Sequence, residues 1–344
     1  RKVMEKREHD IRPCTGANYC LDRIYQGAMA LCIHNPSTGR EETLPHDIAQ
    51  ADKRKKIVVV GAGPGGLEAA RVAAERGHEV IVFEAAAKAG GQILLTAQNP
   101  RRKEMMGIID WRVAQCEAKG VTFRYNTWAD AETVMAEKPD AVIIATGGMP
   151  HTALLKEGND LVVSAWDIIS GDVRPGSNVL IYDDAGDHAG LQAAEVIAEA
   201  GGRVEIMTRD RAFAPEVMAM NLVPYMRSLQ KREVTFTVTF LVEAVRRSGN
   251  KLVATIGSDY GGVSKEQQHD QIVINAGTLP SDELYFALKP RSSNEGAVNY
   301  TKLVNGVPQP VKDSSFQLFR IGDAVAARNT HAAIYDANRL VRTI

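Results

Sequence analysis

From residue 57 onward the chain alternates between short β-branched apolar runs and stretches with helical spacing. Residues 57–60 read as a buried strand, and 65–76 set Leu67, Ala70, Val72 and Ala73 at helical intervals. Residues 80–83 and 141–145 repeat the strand signal, the second closed by Thr146-Gly147-Gly148. Runs that are apolar throughout, without alternation, require cover on both faces, as in a parallel sheet between helix layers. The cycle then restarts with a strand over 178–182, a helix over 190–199 and a strand over 203–207. Further strands are predicted at 234–238, 252–256 and 271–275, and the chain closes on a strand over 316–321 and a helix from His331. Two βαβ units about 120 residues apart amount to a loose internal repeat.

The first unit carries Gly61-Ala62-Gly63-Pro64-Gly65-Gly66, with the spacing G-x-G-x-x-G. Gly61 permits the tight turn after the strand, Gly63 lets backbone approach a pyrophosphate, and Gly66 lets the helix pack on the sheet. The helix N-terminus then presents free N–H groups and a positive dipole end to an anion. Glu84, followed by Ala85, ends the next strand, where a carboxylate can accept both ribose hydroxyls of an adenosine. The expected fold class is α/β, with two Rossmann-like nucleotide-binding domains, the second inserted into the first. Residues 46–155 and 285–344 make the first domain and 156–284 the second, after a loop-rich cysteine module over 1–45. The basic run at 52–56 reads as a solvated linker.

The corresponding loop of the second unit is Asp183-Asp184-Ala185-Gly186-Asp187-His188-Ala189-Gly190. Its glycine spacing is broken, and three carboxylates would repel a pyrophosphate and compete for the helix N-terminus. This domain is therefore expected to keep the fold without binding NAD(P)H. His188 beside Asp187 is the nearest thing to an acid–base pair and reads as a surface loop.

Composition adds exclusions. A length of 344 residues, 44% apolar and 24% charged, suits two or three soluble globular domains. A net charge of −1 gives no pull toward nucleic acid or an acidic membrane surface. No apolar run approaches a membrane span, and no secretory leader opens the chain. Cys14, Cys20 and Cys32 lie close together, which favours a metal or cluster site in a reducing, cytoplasmic compartment over a secreted disulfide scaffold. Cys116, in a helical stretch, reads as a core thiol. The chain opens without Met inside what looks like a polar helix, which fits either a trimmed terminus or a missing upstream domain.

Cys14-Thr15-Gly16-Ala17-Asn18-Tyr19-Cys20 followed by Cys32 resembles the iron–sulfur segment of the trimethylamine dehydrogenase and 2,4-dienoyl-CoA reductase family. Leu21-Asp22-Arg23-Ile24-Tyr25 and Asn35-Pro36 extend the resemblance. Gly90-Gly91-Gln92 and Gly322-Asp323 resemble motifs of disulfide-reductase-like flavoproteins, and Ala145-Thr146-Gly147 and Gly277-Thr278-Leu279-Pro280 their crossover segments. The resemblance implies FAD or ADP held by Gly61, Gly63, Pro64, Gly65, Gly66, Glu84, Ala85, Gly91, Gln92, Ala145, Thr146, Gly147, Gly322 and Asp323. It implies a cluster on Cys14, Cys20 and Cys32. Ala17 stands where the family has another cysteine, so the cluster would be 3Fe–4S, or 4Fe–4S with water, Asp22 or His34 as fourth ligand, or absent. It further implies a catalytic FMN in a TIM barrel upstream, in a part this chain lacks, and a homo-oligomer.

Within that family the segment looks most like the N-methylproline or dimethylglycine demethylase group. The expected function is the electron-transfer part of an amine dehydrogenase that oxidatively demethylates an N-methylated amine. Electrons would pass to an electron-transferring flavoprotein. The alternatives are an NAD(P)H-dependent enoate reductase of 2,4-dienoyl-CoA type and a non-catalytic adenine-nucleotide-binding module.

Overall fold

The apolar runs become parallel strands, and the stretches between them become the helices that cover them. The computed structural model describes residues 2–311 and 315–344. The chain divides into two units, one of 1–97, 101–149 and 279–344, the other of 98–100 and 150–278. The first opens with α1 (Tyr19–Tyr25) in an otherwise irregular segment. There follow β1 (Lys56–Val60), α2 (Pro64–Glu75), β2 (Glu79–Phe83), α3 (Ile93–Thr96), α4 (Gly107–Ala118), β3 (Thr122–Arg124), α5 (Ala131–Ala136) and β4 (Ala141–Ile144). Through β5 (Gly148–Pro150) the chain enters β6 (Val163–Ser164), α6 (Ala165–Ser170), β7 (Asn178–Asp183), α7 (His188–Glu199), β8 (Arg203–Thr208), α8 (Ala219–Lys231) and β9 (Thr235–Val238). Next come β10 (Leu241–Ser248), β11 (Lys251–Gly257), β12 (Lys265–His269) and β13 (Gln271–Asn275). The return runs through β14 (Thr278–Pro280) to α9 (Glu283–Leu288), α10 (Tyr300–Val304), β15 (Gln317–Arg320) and α11 (Thr330–Val341).

The first unit is built on a parallel sheet ordered β15-β4-β1-β2-β3. The second has a parallel sheet ordered β6-β13-β7-β8-β9 and an antiparallel three-stranded sheet β10-β11-β12. Strands β10 and β12 carry no apolar run because they are edges. Arg246, Arg247, Lys265 and Glu266 lie on them, and charge on an edge blunts pairing with other chains. That is why periodicity alone missed both.

Helix α2 starts at Pro64, whose fixed φ suits the first helical position. It packs against α4 and α11 and is buried from Gly65 to Ala73. Enclosure on that scale traps two charges, Glu68 and Arg71, which must then be paired. Glu68 accepts from Arg71 at 2.7 Å, from Arg112 of α4 at 2.9 Å and from Asn338 of α11 at 2.8 Å. The run at 52–56 is not wholly a free linker. The Lys55 ammonium donates to the Ile344 carbonyl at 2.7 Å, and Lys56 pairs with Glu137 at 2.9 Å. Among the described residues no helix is long and apolar enough to cross a membrane.

Candidate functional site

The first unit's site grows from the carboxyl ends of its strands. Chain order runs outward one way through β1, β2 and β3, then returns on the other side as β4 and β15. In such sheets ligands bind in the crevice where the order reverses. Gly61 leaves β1 at φ +103°, and a Cβ there would lie 2.3 Å from the Ala145 carbonyl oxygen. A Cβ on Gly66 would lie 1.9 Å from the Gly61 oxygen. Both positions demand glycine for the chain's own sake.

Gly63 is different. Its φ of −74° suits any residue, and a Cβ would meet nothing nearer than the Gly91 Cα at 4.0 Å. The missing side chain leaves a cradle at the start of α2, which no side chain caps. That combination fits a phosphate, since uncapped N–H groups at a helix start seek an anion.

Two further segments close on the cradle. The Gly90 N–H donates to the Ala62 carbonyl at 2.9 Å, and Gly91 sits at φ +52° against Gly63. The Gln92 amide then donates to Asp323 at 2.8 Å, joining residues far apart in the chain. Asp323 follows Gly322, at φ +62°, beyond β15. Burial lifts the Asp323 carboxyl above its ordinary pKa, with the Gln92 and Arg328 bonds opposing. Glu84, half-buried past β2, accepts from the Ala62 N–H at 2.7 Å and from the Ala86 N–H at 2.8 Å. Both oxygens are thus aimed, and each keeps a lone pair for a hydroxyl donor. Pro64 and Gly65 form the first turn of α2, and Ala85 is exposed beside Glu84.

Ala145, Thr146 and Gly147 lie where the chain leaves β4. The Thr146 hydroxyl donates to the Ser281 carbonyl, and the Ser281 N–H donates to the Gly147 carbonyl at 3.0 Å. These residues tie the outgoing crossover to the returning one, and Ala145 backs the Gly61 turn.

The second unit treats its helix start in the opposite way. Asp187 caps α7 by accepting from the Ala189 N–H at 2.8 Å. Asp183 lies against Gly190, where a Cβ would come within 2.6 Å of its Oδ2. Asp183 also accepts from the Gly186 N–H at 3.0 Å, and Asn275 donates to both aspartates at 2.8 and 2.9 Å. Burial, followed by the charge of Asp187, pushes the Asp183 carboxyl up to about 7.

The three thiols are not assembled. Cys14 and Cys20 are exposed and Cys32 half-buried. Among the described residues no three His, Cys, Asp or Glu side chains converge as a metal-ligand group. As they stand they do not fit a cluster. Nor is His34 available to complete one: it is buried, with Nε2 bonded to the Pro13 carbonyl at 2.7 Å and Nδ1 facing Arg112 at 3.4 Å. Burial, then the Arg112 charge, pushes its pKa down to about 3, so the ring is neutral. Asp22 is buried while Cys20, on the same helix, is exposed. Cys116 is a core thiol whose pKa burial raises to about 12.

Sequence reasoning missed what holds the cysteine segment. The Arg112 guanidinium donates to the His34 carbonyl at 2.7 Å, and the His331 ring bonds the Cys32 carbonyl at 2.7 Å. A buried Glu-x-x-Arg pair in an apolar helix was the signal available.

Comparison with known proteins gives the family. Residues 55–337 match the model of the pyridine nucleotide-disulphide oxidoreductase family. The chain is 70% identical to "Probable N-methylproline demethylase" of Rhizobium meliloti (strain 1021), over 100% of this chain and 51% of the relative. It is 46% identical to "N,N-dimethylglycine/sarcosine dehydrogenase" of Chromohalobacter salexigens, over 99% of this chain and 51% of the relative. Among solved structures, a 2-naphthoyl-CoA reductase complex superposes with a TM-score of 0.83 at 29% identity, covering 100% of this chain and 48% of that one. The chain spans about half the length of the curated relatives it matches.

Proposed function

The chain belongs to the pyridine nucleotide-disulphide oxidoreductase family, and from that premise we propose that it is the electron-transfer part of a flavoprotein dehydrogenase that oxidatively demethylates N-methylated amines. Its relatives carry the expected resemblance to the N-methylproline and dimethylglycine demethylase group. The amines in their names are the first substrates to try.

One observation carries the reading: the two βαβ units use their helix starts oppositely. The first keeps an uncapped α2, a glycine cradle and an aimed carboxylate. The second fills the equivalent place with Asp183 and Asp187. Electrons then do not enter from NAD(P)H through the second unit, and the donor is the amine. In the first unit the α2 N-terminus and Gly63 receive the diphosphate, Glu84 takes the ribose hydroxyls, and Gln92 and Asp323 line the continuation of the crevice. FAD bound there would supply a carrier that accepts and releases electrons, whereas ADP would only brace the fold. Catalytic FMN belongs to a barrel in the length this chain does not span, and an electron-transferring flavoprotein is the acceptor. The reading does not depend on a cluster at the three thiols.

The test is to reduce the full-length flavoprotein with sarcosine, dimethylglycine or N-methylproline, and separately with NADH and NADPH. Bleaching by an amine and none by either pyridine nucleotide is expected. Rapid bleaching by NADPH alone would make the protein an enoate-type reductase instead.

A further inference from the structure

Beyond β3 the backbone continues beside the ribose carboxylate. The Glu84 N–H donates to the Arg124 carbonyl at 3.0 Å, the Thr127 N–H to the Glu84 carbonyl at 2.9 Å, and the Asn126 N–H to the Ala86 carbonyl at 3.0 Å. Asn126 takes φ +52°, a left-handed turn that steers the strand end. Next in the chain is Trp128, with 85% of its surface exposed. An indole left in water forgoes the burial that usually stabilises it.

Sheet order gives that position a meaning. A diphosphate at loop 61–66 lies over β1, and a ribose at Glu84 lies over β2. The base must continue in the same direction, and the next strand is β3. The segment after β3 therefore borders the base. Residues 85–87 on the other side are alanines and offer no flat surface. Of the two aromatic rings in this segment, Tyr125 is stacked on Phe123 and packed against the core, which leaves the exposed Trp128, one residue from a direct bond to Glu84.

We propose that Trp128 is the stacking platform for the adenine ring of the nucleotide in the first unit. The inference rests on the reading of that unit as an adenine-nucleotide site and adds a positioning residue to it. Stacking explains why a large ring stands in solvent here, and base–aromatic stacking is sequence-tolerant and strong enough to matter.

The experiment is a titration of the protein, freed of bound nucleotide, with ADP and with inorganic pyrophosphate, followed by tryptophan emission and calorimetry. Trp111 is buried and Trp166 half-buried, so a quench of the red-shifted component reports Trp128. Trp128→Ala should weaken ADP about tenfold, leave pyrophosphate affinity and the melting temperature unchanged, and abolish the quench. Trp128→Phe should recover part of the ADP affinity. Unchanged ADP affinity in Trp128→Ala, or an equal loss for pyrophosphate, would overturn the assignment while leaving the nucleotide site intact. Absence of saturable ADP binding by the unaltered protein would sink the site reading itself, and this inference with it.

Discussion

Two glycines in one loop are present for different reasons, and substitution separates them. Gly66→Ala drives a Cβ into the Gly61 carbonyl at 1.9 Å and should cost on the order of 3 kcal/mol of stability. Gly63→Ala has room, so its melting temperature should match the original while ADP affinity, by calorimetry, falls tenfold or more. A Gly63→Ala protein that binds ADP normally would contradict the cradle. Asp183 offers a pH signature. Its folded pKa of about 7 exceeds the unfolded value near ~4, so the folded state holds the extra proton between them. Stability falls as pH rises through that window and levels off above it. Asp183→Asn removes the ionisation and should gain up to a few kcal/mol at pH ~8 and nothing near pH ~3. Denaturant melts across pH check this, and an equal gain at both ends would contradict it.

At the scale of elements, α2 does two tasks. Its start, left without a side-chain cap, is the anion site we propose, and its middle anchors α4, α11 and the cysteine segment through Glu68. Arg112→Met should destabilise the protein by about 3–5 kcal/mol by breaking a buried pair, and should expose 1–45 to limited proteolysis by freeing the His34 carbonyl. Unchanged melting and cleavage would show that the segment is held otherwise. The strand–turn–helix elements were legible because β1, α2, β2 and β4 are apolar where they are buried, and glycine marks their turns. Less legible was anything resting on long-range polar pairing. No periodicity announces that Gln92 meets Asp323, or that Arg112 reaches His34. The thiols are the reverse case: their spacing is plain in the sequence, whereas in the fold Cys14 and Cys20 are exposed, Cys32 is half-buried, and among the described residues no three ligands converge.

Across the molecule, two βαβ units of similar build carry different loops at their helix starts. One has a helix start without a side-chain cap, the anion site we propose, and the other is capped by its own Asp187. The loop chemistry was readable from three aspartates, whereas the reason it is stable was not. Asn275, from β13, donates to Asp183 and Asp187 together, and only the sheet brings it there. The most direct test is the count of adenine nucleotide per chain, by native mass spectrometry of the protein with ADP and then with excess NADPH. One nucleotide per chain, lost in Gly63→Ala and not joined by NADPH, is the predicted result. Two nucleotides per chain, or one that survives Gly63→Ala and is lost in an Asp187→Ala protein, would contradict the account.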